Sequence, residues 1–63
     1  MKRQVLIVAK AFAAEQYRRD HPGAGDDAAA TFVERAWAGF VEMAIDFLAV
    51  RAALAEQDIA QWN

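Results

Sequence analysis

Few side chains in this 63-residue chain could do chemistry, and each has a plainer use. There is no cysteine and no serine, so Thr31 carries the sole aliphatic hydroxyl and no thiolate nucleophile can form. His21 is the sole histidine. Beside Pro22, in a turn-forming stretch, it reads as an exposed loop residue rather than a general base or a ligand. One histidine without cysteine gives no structural zinc set, and no metal or cofactor is expected. Tyr17 reads as a packing residue. Glu42 and Asp46 stand one helical turn apart. Paired carboxylates can serve acid–base or metal chemistry. Here no histidine shares their face and no Glu-x-x-His pattern accompanies them. The pair reads as mildly repelling surface charge. Arg18 and Arg19 could hold a phosphate, but Asp20, Asp26 and Asp27 follow closely and cancel the local field. Arginines at that place also suit the negative end of a helix. The expectation is a protein without catalytic residues.

Composition narrows the class further. A chain of this length makes one domain at most, and a domain so small has a marginal core. Such domains usually add disulfides, a metal or oligomerisation. With the first two set aside, oligomerisation remains. The net charge of −2 does not suggest a nucleic-acid or membrane-surface protein. The lack of cysteine fits a cytoplasmic setting. Abundant alanine, with three glycines and one proline, is the composition of an all-α protein. Arginine outnumbers lysine five to two, which with alanine hints at a GC-rich bacterial or phage genome.

The start of the chain, MKRQVLIVAKAFAAE, mimics a secretion signal. Its apolar run, Val5 to Ala9, stops at Lys10, short of the roughly 7–15 residues that such a signal needs. The same lysine rules out a membrane span, which needs about 20 apolar residues. A first amphipathic helix is the reading that remains.

The elements that would position these residues are two helices. Helix 1 is expected over about 2–20, a turn over 21–26 and helix 2 over about 27–61. The stretch DHPGAGDD marks the turn: Pro22 biases His21 away from helix, Gly23 and Gly25 permit turn geometry, and Asp26 or Asp27 can cap the next helix. In helix 2, two apolar stripes run side by side at helical spacing. Phe32, Ala36, Phe40, Met43, Phe47, Val50 and Leu54 form the first. Val33, Trp37, Val41, Ala44, Leu48, Ala52, Ala55, Ile59 and Trp62 form the second. Together they cover roughly 200° of the helix, against the 100° or so that one neighbour needs. One stripe can pack on helix 1; the other asks for a second partner.

Length points the same way. Helix 1 would span about 28 Å and helix 2 about 50 Å. Folding the hairpin about Gly23 and Ala24 brings Lys10 near Glu34, Phe12 near Arg35 and Ala36, and Lys2 and Arg3 within reach of Glu42 and Asp46. Helix 1 then runs out opposite Asp46, just before the stretch FLAVRAALAEQDIAQW. The expected architecture is an all-α helix-turn-helix hairpin, short first helix and long second, pairing with a second copy into a dimeric four-helix arrangement. A fold-back of the tail at Gln57–Asp58 is the weaker alternative.

The residues expected at a self-association or partner interface are Trp37, Val41, Phe47, Leu48, Val50, Leu54, Ile59 and Trp62. The tryptophans stand out because that residue is enriched at interface hot spots. The function expected is protein–protein interaction: a small regulator or inhibitor that presents a helical face to a larger protein, whose identity the sequence does not give. Two alternatives stand beside it. One is an RNA-binding bundle dimer using Lys2, Arg3, Lys10, Arg18 and Arg19, disfavoured by the acidic balance. The other is a structural subunit that folds within a hetero-complex. A helix-turn-helix DNA reader is disfavoured because helix 2 is too long, acidic and apolar to enter a groove.

Overall fold

The computed structural model describes the backbone of residues 2–62 and the side-chain surroundings of residues 2–57. The protein is an all-α hairpin with a short first arm and a long second arm. The first arm is α1, Arg3–Asp20. The run AKAFAAEQYRR, rich in strong helix formers, carries it, and Arg18 and Arg19 occupy its last turn. At its end the backbone N–H of His21 donates to Tyr17 O at 2.9 Å. Ala24 N–H then donates to His21 O at 3.1 Å, closing the turn. Gly23 makes that turn possible, because its φ of +88° lies in the left-handed region. The ring of Tyr17 packs between His21, at 4.5 Å, and Phe32 of the second arm, at 5.1 Å between centroids. That stack fastens the closed end of the hairpin.

The second arm starts with α2, Asp26–Ala36. Its N-cap is Gly25, and no side chain caps it; Asp26 and Asp27 lie inside the first turn instead. There they favour the helix through its dipole and not through a capping hydrogen bond. Thr31 Oγ1 donates to Asp27 O at 3.0 Å, one turn back along the same helix. Lys10 Nζ lies 3.4 Å from Glu34 Oε1, so the simple hairpin register holds this far.

Beyond Ala36 it does not. At Ala36 the backbone angles depart from the helical ideal (φ −112°, ψ −11°), and Trp37–Phe40 form a single 3₁₀ turn of four residues. The last segment is α3, Val41–Trp62. Among the described residues the second arm shows no fold-back at Gln57–Asp58, and its one departure from α-helix is at Trp37–Phe40. Phe12, expected beside Ala36, meets Phe47 instead, edge to face with ring centroids 5.5 Å apart. Were α2 and α3 collinear, Phe47 would lie about 20 Å past Glu34, far out of reach of Phe12. The 3₁₀ turn therefore redirects α3 across the middle of α1.

Packing follows from this path. Among the described residues α1 touches α2, the 3₁₀ turn and α3, whereas α2 and α3 do not touch each other. The buried side chains among the described residues are Ala9, Ala13, Ala29 and Ala44, and no large side chain is sealed. Ala9 and Ala44 stand one turn before Phe12 and Phe47 on their respective helices, and small residues there let backbones come close. The Cα frame is 46 × 27 × 14 Å. Its thinnest dimension has room for two helices at most, since packed axes lie about 8–10 Å apart. Every helix keeps a face in water.

Candidate interaction surface

The 3₁₀ turn decides which stripe of the second arm is covered. It advances about 120° per residue where an α-helix advances about 100°, so four residues shift the phase by about 80°. Upstream, Phe32, Val33, Ala36 and Trp37 from both stripes are half-buried. Downstream, the second stripe turns inward, with Ala44 buried and Val41 and Leu48 half-buried. The first stripe comes out into solvent, touching α1 through Phe47 and Phe12. Met43 is 53% exposed, Phe47 43%, Val50 58% and Leu54 59%. These four residues, spaced 4, 3 and 4 along α3, form one apolar face. The charged residues Asp46 and Arg51 border it, both exposed.

A second apolar feature lies on another side of α3. Lys2, which precedes α1, Gln4 and Val5 from its first turn, and Val41, Ile45 and Leu48 from α3 line an open groove of about 570 Å³. Ile45 is 50% exposed there. The groove and the outer face are distinct surfaces of the same helix.

The expected interface residues thus divide into three groups. Phe47, Val50 and Leu54 are exposed on the outer face of α3. Trp37, Val41 and Leu48 are half-buried, and Val41 and Leu48 line the groove. The side chains of Ile59 and Trp62 lie outside the described residues. Two members of these surfaces, Met43 and Ile45, are absent from the sequence-based set. Met43 lies on the same stripe as Phe47, Val50 and Leu54, and that spacing is the signal that could have found it. Ile45 falls on neither stripe, and that break in the pattern was its only signal.

The basic residues do not converge on one patch. Lys10 pairs with Glu34, and Arg18 Nη1 lies 3.5 Å from Glu15 Oε1. Lys10 and Arg18 share a shallow depression with Asp26 and Glu34, so its field is mixed. Lys2 lies at the apolar groove, and Arg3 and Arg19 are exposed. No ion pair joins Lys2 or Arg3 to Glu42 or Asp46 among the described residues.

The candidate chemical residues have structural surroundings. His21 rests on Tyr17, Thr31 bonds to its own helix, and Glu42 and Asp46 are exposed. Among the described residues no three histidine, aspartate or glutamate side chains converge as a metal site would need, and no helix is long and apolar enough to cross a membrane. No protein-family model, curated protein or solved structure matches the chain.

Proposed function

We propose that this protein is a non-enzymatic protein–protein interaction module that works as a homodimer and presents a helical face to a larger protein, as a regulator or inhibitor. The cysteine-free sequence is in keeping with work in the cytoplasm. The observation that carries this reading is the outer face of α3, where Met43, Phe47, Val50 and Leu54 are all exposed. Covering such side chains is worth about 1.5–3 kcal/mol each, a large share of the 5–15 kcal/mol that typically holds a domain together. Among the described residues the buried core beneath consists of alanines. Self-association through α3 would supply the apolar burial that the hairpin lacks. The separate groove of Val5, Val41, Ile45 and Leu48, with Lys2 at its edge, would then receive an apolar helix of the target.

Size-exclusion chromatography with light scattering over a dilution series tests the reading. The wild-type chain should elute at twice its 7.0 kDa mass. Val50→Glu places a charge in the contact and should weaken the dimer about a hundredfold. Ile45→Glu, on the groove, should leave the dimer intact. A wild-type monomer at every concentration overturns the homodimer. A photo-crosslinker at position 45 that joins only copies of this chain overturns a target site in the groove.

A further inference from the structure

The outer face of α3 carries more than apolar area; its spacing and flanking charges specify how a second copy would lie on it. Phe47 and Leu54 occupy the first position, and Met43 and Val50 the fourth, of the seven-residue repeat that forms the seam of a two-stranded coiled coil. Gln57 is the next fourth position. In that repeat, the two positions bordering the seam set orientation through charge. Here they are Asp46 on one side and Arg51 on the other.

Neither charge is satisfied along its own helix. The residues three and four away from Asp46 are Glu42, Met43, Ala49 and Val50. For Arg51 they are Phe47, Leu48, Leu54 and Ala55. Both side chains are exposed, and neither joins an ion pair among the described residues. In a parallel, in-register pair of helices, the seventh position of one helix lies beside the fifth position of the next repeat on its neighbour. That places Asp46 beside Arg51 of the partner subunit, and two-fold symmetry makes the contact twice. In the antiparallel sense seventh positions flank seventh positions, and fifth flank fifth. With Phe47 level with Val50 of the partner subunit, Asp46 would then face Ala53 of the partner subunit. Arg51 would face Ala44 of the partner subunit, an alanine already buried. Only the parallel sense matches the charges.

We propose that a second copy of this chain covers the Met43–Phe47–Val50–Leu54 face in parallel and in register, with Asp46 of each chain paired to Arg51 of the other. The proposal rests on the homodimer reading and adds its orientation. α1 touches this face at Phe47, whose ring meets Phe12 edge to face and is still 43% exposed, while the residues of α3 covered most deeply, Val41, Ala44 and Leu48, lie on the neighbouring side. The described residues from Val50 to Gln57 are all exposed.

A single cysteine tests it cleanly, because the chain has none of its own. In the parallel arrangement Gln57→Cys sits at the seam next to its counterpart, so a glutathione redox buffer should convert most of the protein to a covalent dimer. Glu56→Cys, facing away from the seam, should not exceed background. In the antiparallel arrangement the two cysteines would be about 25 Å apart by helical rise, whereas a disulfide needs Cα atoms within about 7 Å. A dimer by light scattering that fails to cross-link at position 57 overturns the parallel orientation and leaves the homodimer standing. A monomer overturns both. Charge exchange gives the second readout. Asp46→Arg and Arg51→Asp should each weaken the dimer about tenfold, and the double exchange should restore it to near the wild-type value. Losses that simply accumulate in the double variant overturn the proposed pairing.

Discussion

Between Asp26 and Ala36 the second arm lies along α1 with Ala29 buried and Phe32, Val33 and Ala36 half-covered. Between Val50 and Gln57 the same arm has every described side chain exposed. The two regions do not differ in pattern, since one apolar stripe with helical spacing runs through both. They differ in what lies between them and α1. Upstream of Trp37 the arm is antiparallel to α1 and shares its length. Downstream it crosses α1 once, near Phe12 and Phe47, and continues past the contact. Periodicity states that a helix has an apolar side; it does not state where along the helix a neighbour will be found. A single 3₁₀ turn changes both the direction of the axis and the phase of the stripe, and with them the residues left in water.

The strongest way to break the comparison is to place the same charge on each side of α3. Ala44 is completely covered. Ala44→Glu would bury an unpaired carboxylate, or force α1 and α3 apart, at a cost of about 3 kcal/mol or more. Leu54, 59% exposed, already faces water within the chain. Leu54→Glu should change the stability of the monomer by no more than about 0.5 kcal/mol. Urea unfolding followed by circular dichroism, at concentrations low enough to hold both variants as monomers, checks the contrast. Comparable losses in both would mean that the outer face of α3 is covered within the chain.

Much of this was legible in the sequence. The turn at Pro22 and Gly23, the helical character of both arms and the meeting of Lys10 with Glu34 follow from residue types and hairpin counting. The excess of apolar surface on the second arm was legible too, because two full stripes cannot both face one short helix. The choice of stripe was not. Ala36, Trp37, Ala38 and Phe40 are all compatible with an uninterrupted helix, and Gly39 alone is a weak signal, since a single glycine costs a helix only about 1 kcal/mol. Trp37 and Phe40 are both half-buried, and the turn that carries them packs against α1, a tertiary contact that local spacing does not carry.

Gly39 sharpens the comparison, because it stands in the segment that separates the two regions. A Cβ built there meets nothing within 4 Å, and its φ is not in the left-handed region. Gly39→Ala should thus be accommodated and should stabilise the chain by about 0.5–1 kcal/mol, chiefly by restricting the unfolded state. If packing of Trp37 and Phe40 holds the 3₁₀ turn, the Phe12–Phe47 contact will survive, and an NMR cross-peak between the two rings reports it. Loss of that cross-peak with helix content retained would assign the change of phase to the glycine itself.

The smallest effect is expected where charge bridges the covered region. Lys10 and Glu34 meet at 3.4 Å with the glutamate 69% exposed and the lysine 38% exposed. Pairs so open to water are screened and lose side-chain entropy on pairing, and they contribute from nothing to about 1 kcal/mol. Lys10→Gln should lower stability by less than about 0.5 kcal/mol, and 0.5 M salt should erase the difference from wild type, since the Debye length there is only about 4–5 Å. The Asp46–Arg51 contacts proposed between chains would respond to salt in the same direction, but in the dissociation constant of the dimer and not in the unfolding of the monomer. The two readouts separate charge that guides the fold of one chain from charge that orients two.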